Sequence, residues 1–100
     1  MTETPEFRDG DIDRAARLMA MLASKARLQI LCRLVEGELP VGELARDCGL
    51  SQPRMSQQLK TLKEAGLVSS RREGQTIYYA IEGREAAAVL QTLHELYCAV

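Results

Sequence analysis

Residues 41–79 read VGELARDCGLSQPRMSQQLKTLKEAGLVSSRREGQTIYY, and the punctuation of this stretch decides the fold. Pro40 opens a helix over 41–48, with Val41, Leu44, Ala45 and Cys48 on one stripe, and Gly49 stops it. Ser51 is placed to cap a second helix over 52–65. Pro53 falls in its first turn, where a missing N–H costs nothing, and Gly66 closes it. Two short helices joined by a Gly-containing turn make a helix-turn-helix. Residues 67–72 and 75–81 then read as strands, with Glu73-Gly74 as the two-residue turn. Ile77, Tyr79 and Ile81 alternate with Thr76, Tyr78 and Ala80, so one face packs and the other is more polar.

Helical periods flank this unit. Ile12, Ala15, Ala16, Met19 and Leu22 repeat at helical spacing and predict a helix over 11–22, with Asp9, Asp11 and Asp13 at its positive end. Ser24 caps a helix over 25–36 that is apolar around most of its circumference, which places it mid-core, and Gly37 ends it. A last helix from 84 to about 98 carries Ala86, Val89, Leu90, Leu93, Leu96 and Tyr97 on one stripe. The expected fold is mainly α with a β-hairpin wing: a winged helix-turn-helix over 9–100, preceded by a flexible arm over 1–8.

Composition limits the function. One hundred residues make one domain, and a chain this short benefits from a partner subunit. Hydrophobic residues at 46% and charged residues at 27% describe a globule rather than a disordered tail. No apolar run approaches the ~20 residues of a membrane span, and the polar opening MTETPEFRDGD predicts no signal peptide, so a cytoplasmic protein is expected. Three cysteines, Cys32, Cys48 and Cys98, do not form a secreted disulfide framework. There is no CxxC, no HExxH and one histidine, His94, so no metal site or cofactor is expected within one chain. No phosphate-binding glycine loop or acid pair is placed for catalysis, which argues against an enzyme.

The helix over 52–65 has two faces. Met55, Leu59 and Leu62 form the apolar one; Arg54, Gln57, Gln58 and Thr61 form a polar one nearly free of carboxylates. Arg and Gln make paired hydrogen bonds to base edges in the major groove. Gln52 and Ser56 flank that face, within reach of bases or phosphates. Arg71, Arg72 and Gln75 cluster toward the hairpin tip. Residues 51–80 carry a net +3 while the whole chain is -1, so basic charge is concentrated where phosphate contacts need it. A solvated polar face is the plain alternative for the helix alone; the basic hairpin beside it favours DNA.

The run from LASKARLQILCRLVEGELP through RREGQTIYY, with a terminal LYC, resembles the ArsR/SmtB family of winged-helix repressors, and most resembles its persulfide-sensing (BigR-like) branch. The resemblance implies a homodimer, joined through the first and last helices, on palindromic operator DNA. It also implies release of the DNA when a cysteine pair, here Cys32 and Cys98, is oxidised or bridged by reactive sulfur species. Gln58 stands where the family usually has His, and Pro40 where it often has Ser. The family's metal sensors use a cysteine pair in the third helix, where this chain offers only Cys48; His94 and Glu95 stand almost alone in the last helix. The alternative trigger is a general oxidant or a metal ion at the dimer interface.

By periodicity Cys48 and Cys32 lie on apolar stripes, and Cys48 reads as a small buried hydrophobe. Cys98 is off the Val89, Leu93 and Leu96 stripe and aligns with Ala87, Gln91 and His94, one turn from the imidazole. A protonated imidazole there would favour the thiolate.

Overall fold

The computed structural model describes residues 8–97, so the expected arm (apart from Arg8) and Cys98 lie outside the described residues. The chain runs α1 (Asp9–Leu22), α2 (Lys25–Leu34), β1 (Leu39–Pro40), α3 (Val41–Cys48), α4 (Gln52–Glu64), β2 (Val68–Glu73), β3 (Thr76–Ile81) and α5 (Arg84–Tyr97). The three strands form one antiparallel sheet in the order β1-β3-β2.

Local chemistry sets the boundaries. The first helix starts two residues before the expected Asp11: the Arg8 carbonyl accepts from the Asp11 and Ile12 amides, and Asp9 and Asp11 both fall in the favourable first turn. Helix α2 ends at Leu34 rather than at residue 36. Its last turn tightens into three-residue closures, Val35 N–H to Cys32 C=O at 3.4 Å and Gly37 N–H to Leu34 C=O at 3.1 Å. The Ser24 hydroxyl accepts from Arg27 N–H at the start of α2, and Ser51 accepts from Arg54 N–H at the start of α4, as the spacing predicts. Helix α4 ends at Glu64, with Ala65 as its C-cap. Pro40 is the N-cap of α3, whose bounds match the expected 41–48, and it doubles as the second residue of β1, a strand too short to leave a periodic signal.

The hairpin turn is also displaced by one residue. Glu73 pairs with Thr76, so Gly74-Gln75 form the turn, and Gly74 adopts φ 62°. A positive φ at the first turn position is what a two-residue hairpin demands, and glycine supplies it.

The core gathers Ile30, Leu31 and Leu34 of α2, Leu44 and Ala45 of α3, Met55, Leu59 and Leu62 of α4, and Ala86 and Leu90 of α5. Leu67 and Val68, at the base of the wing, complete it with Leu22. Helix α2 packs against α1, α3, α4, α5 and β3, the central position its apolar circumference predicts. Helix α1 is the exception. Its one buried residue is Leu22, while Ile12 and Met19 remain 49% and 57% exposed. At the far end of α5, Leu96 and Tyr97 are 71% and 81% exposed. The radius of gyration is 15.0 Å, against ~13 Å for a compact chain of this length.

Candidate nucleic-acid interface

The turn between α3 and α4 is fixed by Gly49, whose φ of 67° lets the Leu50 N–H reach back to the Ala45 carbonyl at 3.0 Å. After this closure α4 packs against α3 and seats Met55, Leu59 and Leu62 fully in the core. The opposite side of α4 is left in solvent. Gln52, Arg54, Ser56 and Gln57 are exposed there, with Lys60 beside them. Gln58 and Thr61 are half-buried, at the edge of the face rather than its centre. The Thr61 hydroxyl donates to the Gln57 carbonyl at 3.2 Å, so it is engaged with its own helix.

The wing is tied to this helix. Lys63 of α4 donates to the Ser70 hydroxyl of β2 at 2.7 Å. Arg72 and Gln75 are exposed near the tip, and Arg72 makes no ion pair among the described residues. Arg71 differs. Its guanidinium donates to both oxygens of Glu38 and, at 2.6 Å, to Glu73, and lies 4.5 Å from the centroid of the Tyr78 ring. The Glu38 carboxyl is held below its ordinary range by the Arg71 hydrogen bond, and Arg71 is shifted upward by the same contacts. Sequence reading groups Arg71 with Arg72; it misses Glu38, whose partner is 33 positions away.

Two of the three thiols lie among the described residues. Cys48 packs half-buried against the core, and desolvation, with Asp47 adding to it, pushes its thiol pKa up. Asp47 is itself paired with Arg33 of α2 at 2.6 Å. Cys32 is half-buried on α2. Four residues beyond it, Glu36 lies 3.7 Å from Nε2 of His94 on α5. Among the described residues no cluster of three or more His, Cys, Asp or Glu could hold a metal ion, and no helix is long and apolar enough to cross a membrane.

Known proteins share this fold. Residues 24–70 match the model of the bacterial regulatory protein, arsR family. The biofilm growth-associated repressor of Agrobacterium fabrum is 43% identical over 111 aligned positions, covering 99% of this chain and 95% of that protein. The chain belongs to the ArsR family. The transcriptional activator HlyU of Vibrio cholerae is 45% identical over 85 residues, covering 85% of this chain and 79% of that protein. Its solved structure matches with a TM-score of 0.88 at 42% identity, covering 91% of this chain and 99% of that chain. A homodimeric winged helix-turn-helix DNA-binding domain from Mycobacterium bovis matches with a TM-score of 0.77 at 34% identity, covering 96% and 89%. The fold is therefore a winged helix-turn-helix, and the protein is a transcriptional regulator of the ArsR type, not an enzyme.

Proposed function

We propose that this ArsR-family chain is a homodimeric repressor that grips palindromic operator DNA and lets go when Cys32 and Cys98 are joined by reactive sulfur species. Helix α4 is the reading element. Arg54, Gln57 and Gln58 meet base edges; Gln52, Ser56 and Thr61 border them; Arg72 and Gln75 of the wing approach the backbone. Two copies joined through α1 and α5 present two such helices to half-sites about one helical turn, ~34 Å, apart. The uncovered apolar residues of α1 and α5 and the homodimeric relative support that assembly.

One observation carries the switch. His94 and Glu36 bring the ends of α5 and α2 together, and the two cysteines each stand four positions from that contact, Cys32 before Glu36 and Cys98 after His94. A relative, HlyU of Vibrio cholerae, has been solved in a form named as reduced, which supports a redox-linked reading of this chain. One cysteine thiolate attacks the terminal sulfur of a persulfide donor, forming a protein persulfide and releasing the donor thiolate. The other thiolate attacks the protein-bound sulfur and expels hydrosulfide, leaving a disulfide. If both cysteines first become persulfides, the same displacement leaves a trisulfide. The bridge acts on DNA only by favouring a dimer geometry that fits the duplex less well, and a coupling of about 1–3 kcal/mol lowers affinity 5–150-fold.

The test is operator binding by fluorescence anisotropy before and after a persulfide donor, with mass spectrometry of the same samples. The expected result is a loss of affinity in the native chain that Cys32→Ser and Cys98→Ser each abolish, with Cys32 and Cys98 joined as a disulfide or a trisulfide in the treated sample. An unchanged affinity, or the same loss in Cys32→Ser, sinks the switch. A plain disulfide from peroxide with equal loss of binding would make the protein a general oxidant sensor instead.

A further inference from the structure

Arg71 and Arg72 are neighbours in sequence and opposites in space. Strand residues alternate between faces, so Arg72 shares the face of Ser70, which Lys63 of α4 contacts, and of Tyr79, which packs on the core. Arg71 lies on the other face, directly across the ladder from Tyr78. Tyr78 in turn pairs with Pro40 of β1, and Glu38 stands just before β1. The Arg71 side chain therefore crosses the central strand, over the Tyr78 ring, and grips a carboxylate on the far side of the sheet. Pro40, two residues after Glu38, is the N-cap of α3. The outer strand of the wing is thus strapped to the segment that leads into the helix-turn-helix.

Exposed ion pairs ordinarily contribute little, but forked and networked geometries are the exception. This pair has both features, with Glu73 as a second carboxylate and an aromatic ring beneath the guanidinium. Two carboxylates also cancel the charge a phosphate would need.

We propose that Arg71 is a positioning residue rather than a phosphate ligand: through Glu38 it fixes the wing relative to α3 and α4, so that Arg72 and the reading helix meet one duplex in register. The inference rests on the DNA-binding reading above and deepens it by dividing the two wing arginines between separate tasks.

The experiment uses the full chain and a duplex that the native protein selects from a random library, with affinity measured against salt concentration. Arg72→Gln is expected to lower the salt slope by about 0.9 for each phosphate that is no longer neutralised. Arg71→Gln and Glu38→Gln are each expected to weaken binding roughly three- to tenfold at unchanged slope, and the double variant no further than either alone. Their shared sign is the decisive feature. A purely electrostatic contribution predicts opposite signs, because one substitution removes a positive charge and the other a negative one. A slope reduction in Arg71→Gln like that of Arg72→Gln, or tighter binding by Glu38→Gln, overturns the proposal while leaving DNA binding intact. Failure of the native protein to select any duplex overturns the DNA reading itself, and this inference with it.

Discussion

Cys48 illustrates how environment, not residue type, sets reactivity. Its thiol is desolvated by the core and lies beside Asp47, both of which disfavour the thiolate that attacks electrophiles. Alkylation at neutral pH should therefore be slower at Cys48 in the folded protein than in the urea-unfolded chain, as mass spectrometry of iodoacetamide time courses would read. Equal rates would contradict a half-buried thiol of raised pKa, and Cys48→Ala should retain any response to sulfur donors. The Glu38 carboxyl offers a second residue-scale test. Its folded pKa lies below its unfolded one because Arg71 holds the charged form. The linkage therefore stabilises the fold above the unfolded carboxylate pKa, roughly pH 4, and fades as pH falls through the lower folded value. In a carboxyl NMR titration, Arg71→Gln should return the Glu38 midpoint upward toward the ordinary range; an unmoved midpoint would show that Arg71 is not its cause.

At the scale of elements, the helix-turn-helix is held by two glycine closures. Gly49, at φ 67°, permits the Leu50 to Ala45 bond, and Gly66, at φ 78°, permits the Leu67 N–H to reach the Leu62 carbonyl at 3.0 Å. A side chain at Gly49 would meet nothing within 4 Å, so its cost is purely one of backbone conformation. Gly49→Ala should lose about 1–2 kcal/mol, seen as a lower urea midpoint at fixed protein concentration. A neutral result would mean that the turn relaxes. Much of this was legible beforehand, because glycines, serine caps and the Met55, Leu59 and Leu62 spacing are local signals. Strand β1 was not. Two residues have no period, and Leu39–Pro40 becomes a strand only because β3 lies beside it.

The molecule is elongated, 56 by 32 by 22 Å, and α1 buries only Leu22. A groove runs between α1 and α5, lined by Leu18, Met21, Leu67, Ala86 and Val89, and Arg14 of α1 bridges it to Glu85 of α5 at 2.8 Å. An amphipathic helix with one buried residue has little tertiary packing to sustain it alone. Met19→Glu is accordingly expected to shift the protein from dimer to monomer in light scattering at micromolar concentration, with a loss of operator affinity. A dimer of unchanged mass would place the interface elsewhere.

The amino-acid sequence by itself determined the five helices and two wing strands in their order, the core face of α4 and the polar face opposite it. Each of these is written in short-range periodicity, caps and turns, whose physics spans a few residues. Only the tertiary structure decided which arginine of the wing is bound to carboxylates, that Gln58 and Thr61 sit at the rim of the reading face, that α1 is left uncovered, and that His94 meets Glu36. Those outcomes depend on groups tens of positions apart, brought together by packing, and no local pattern encodes the distance between them.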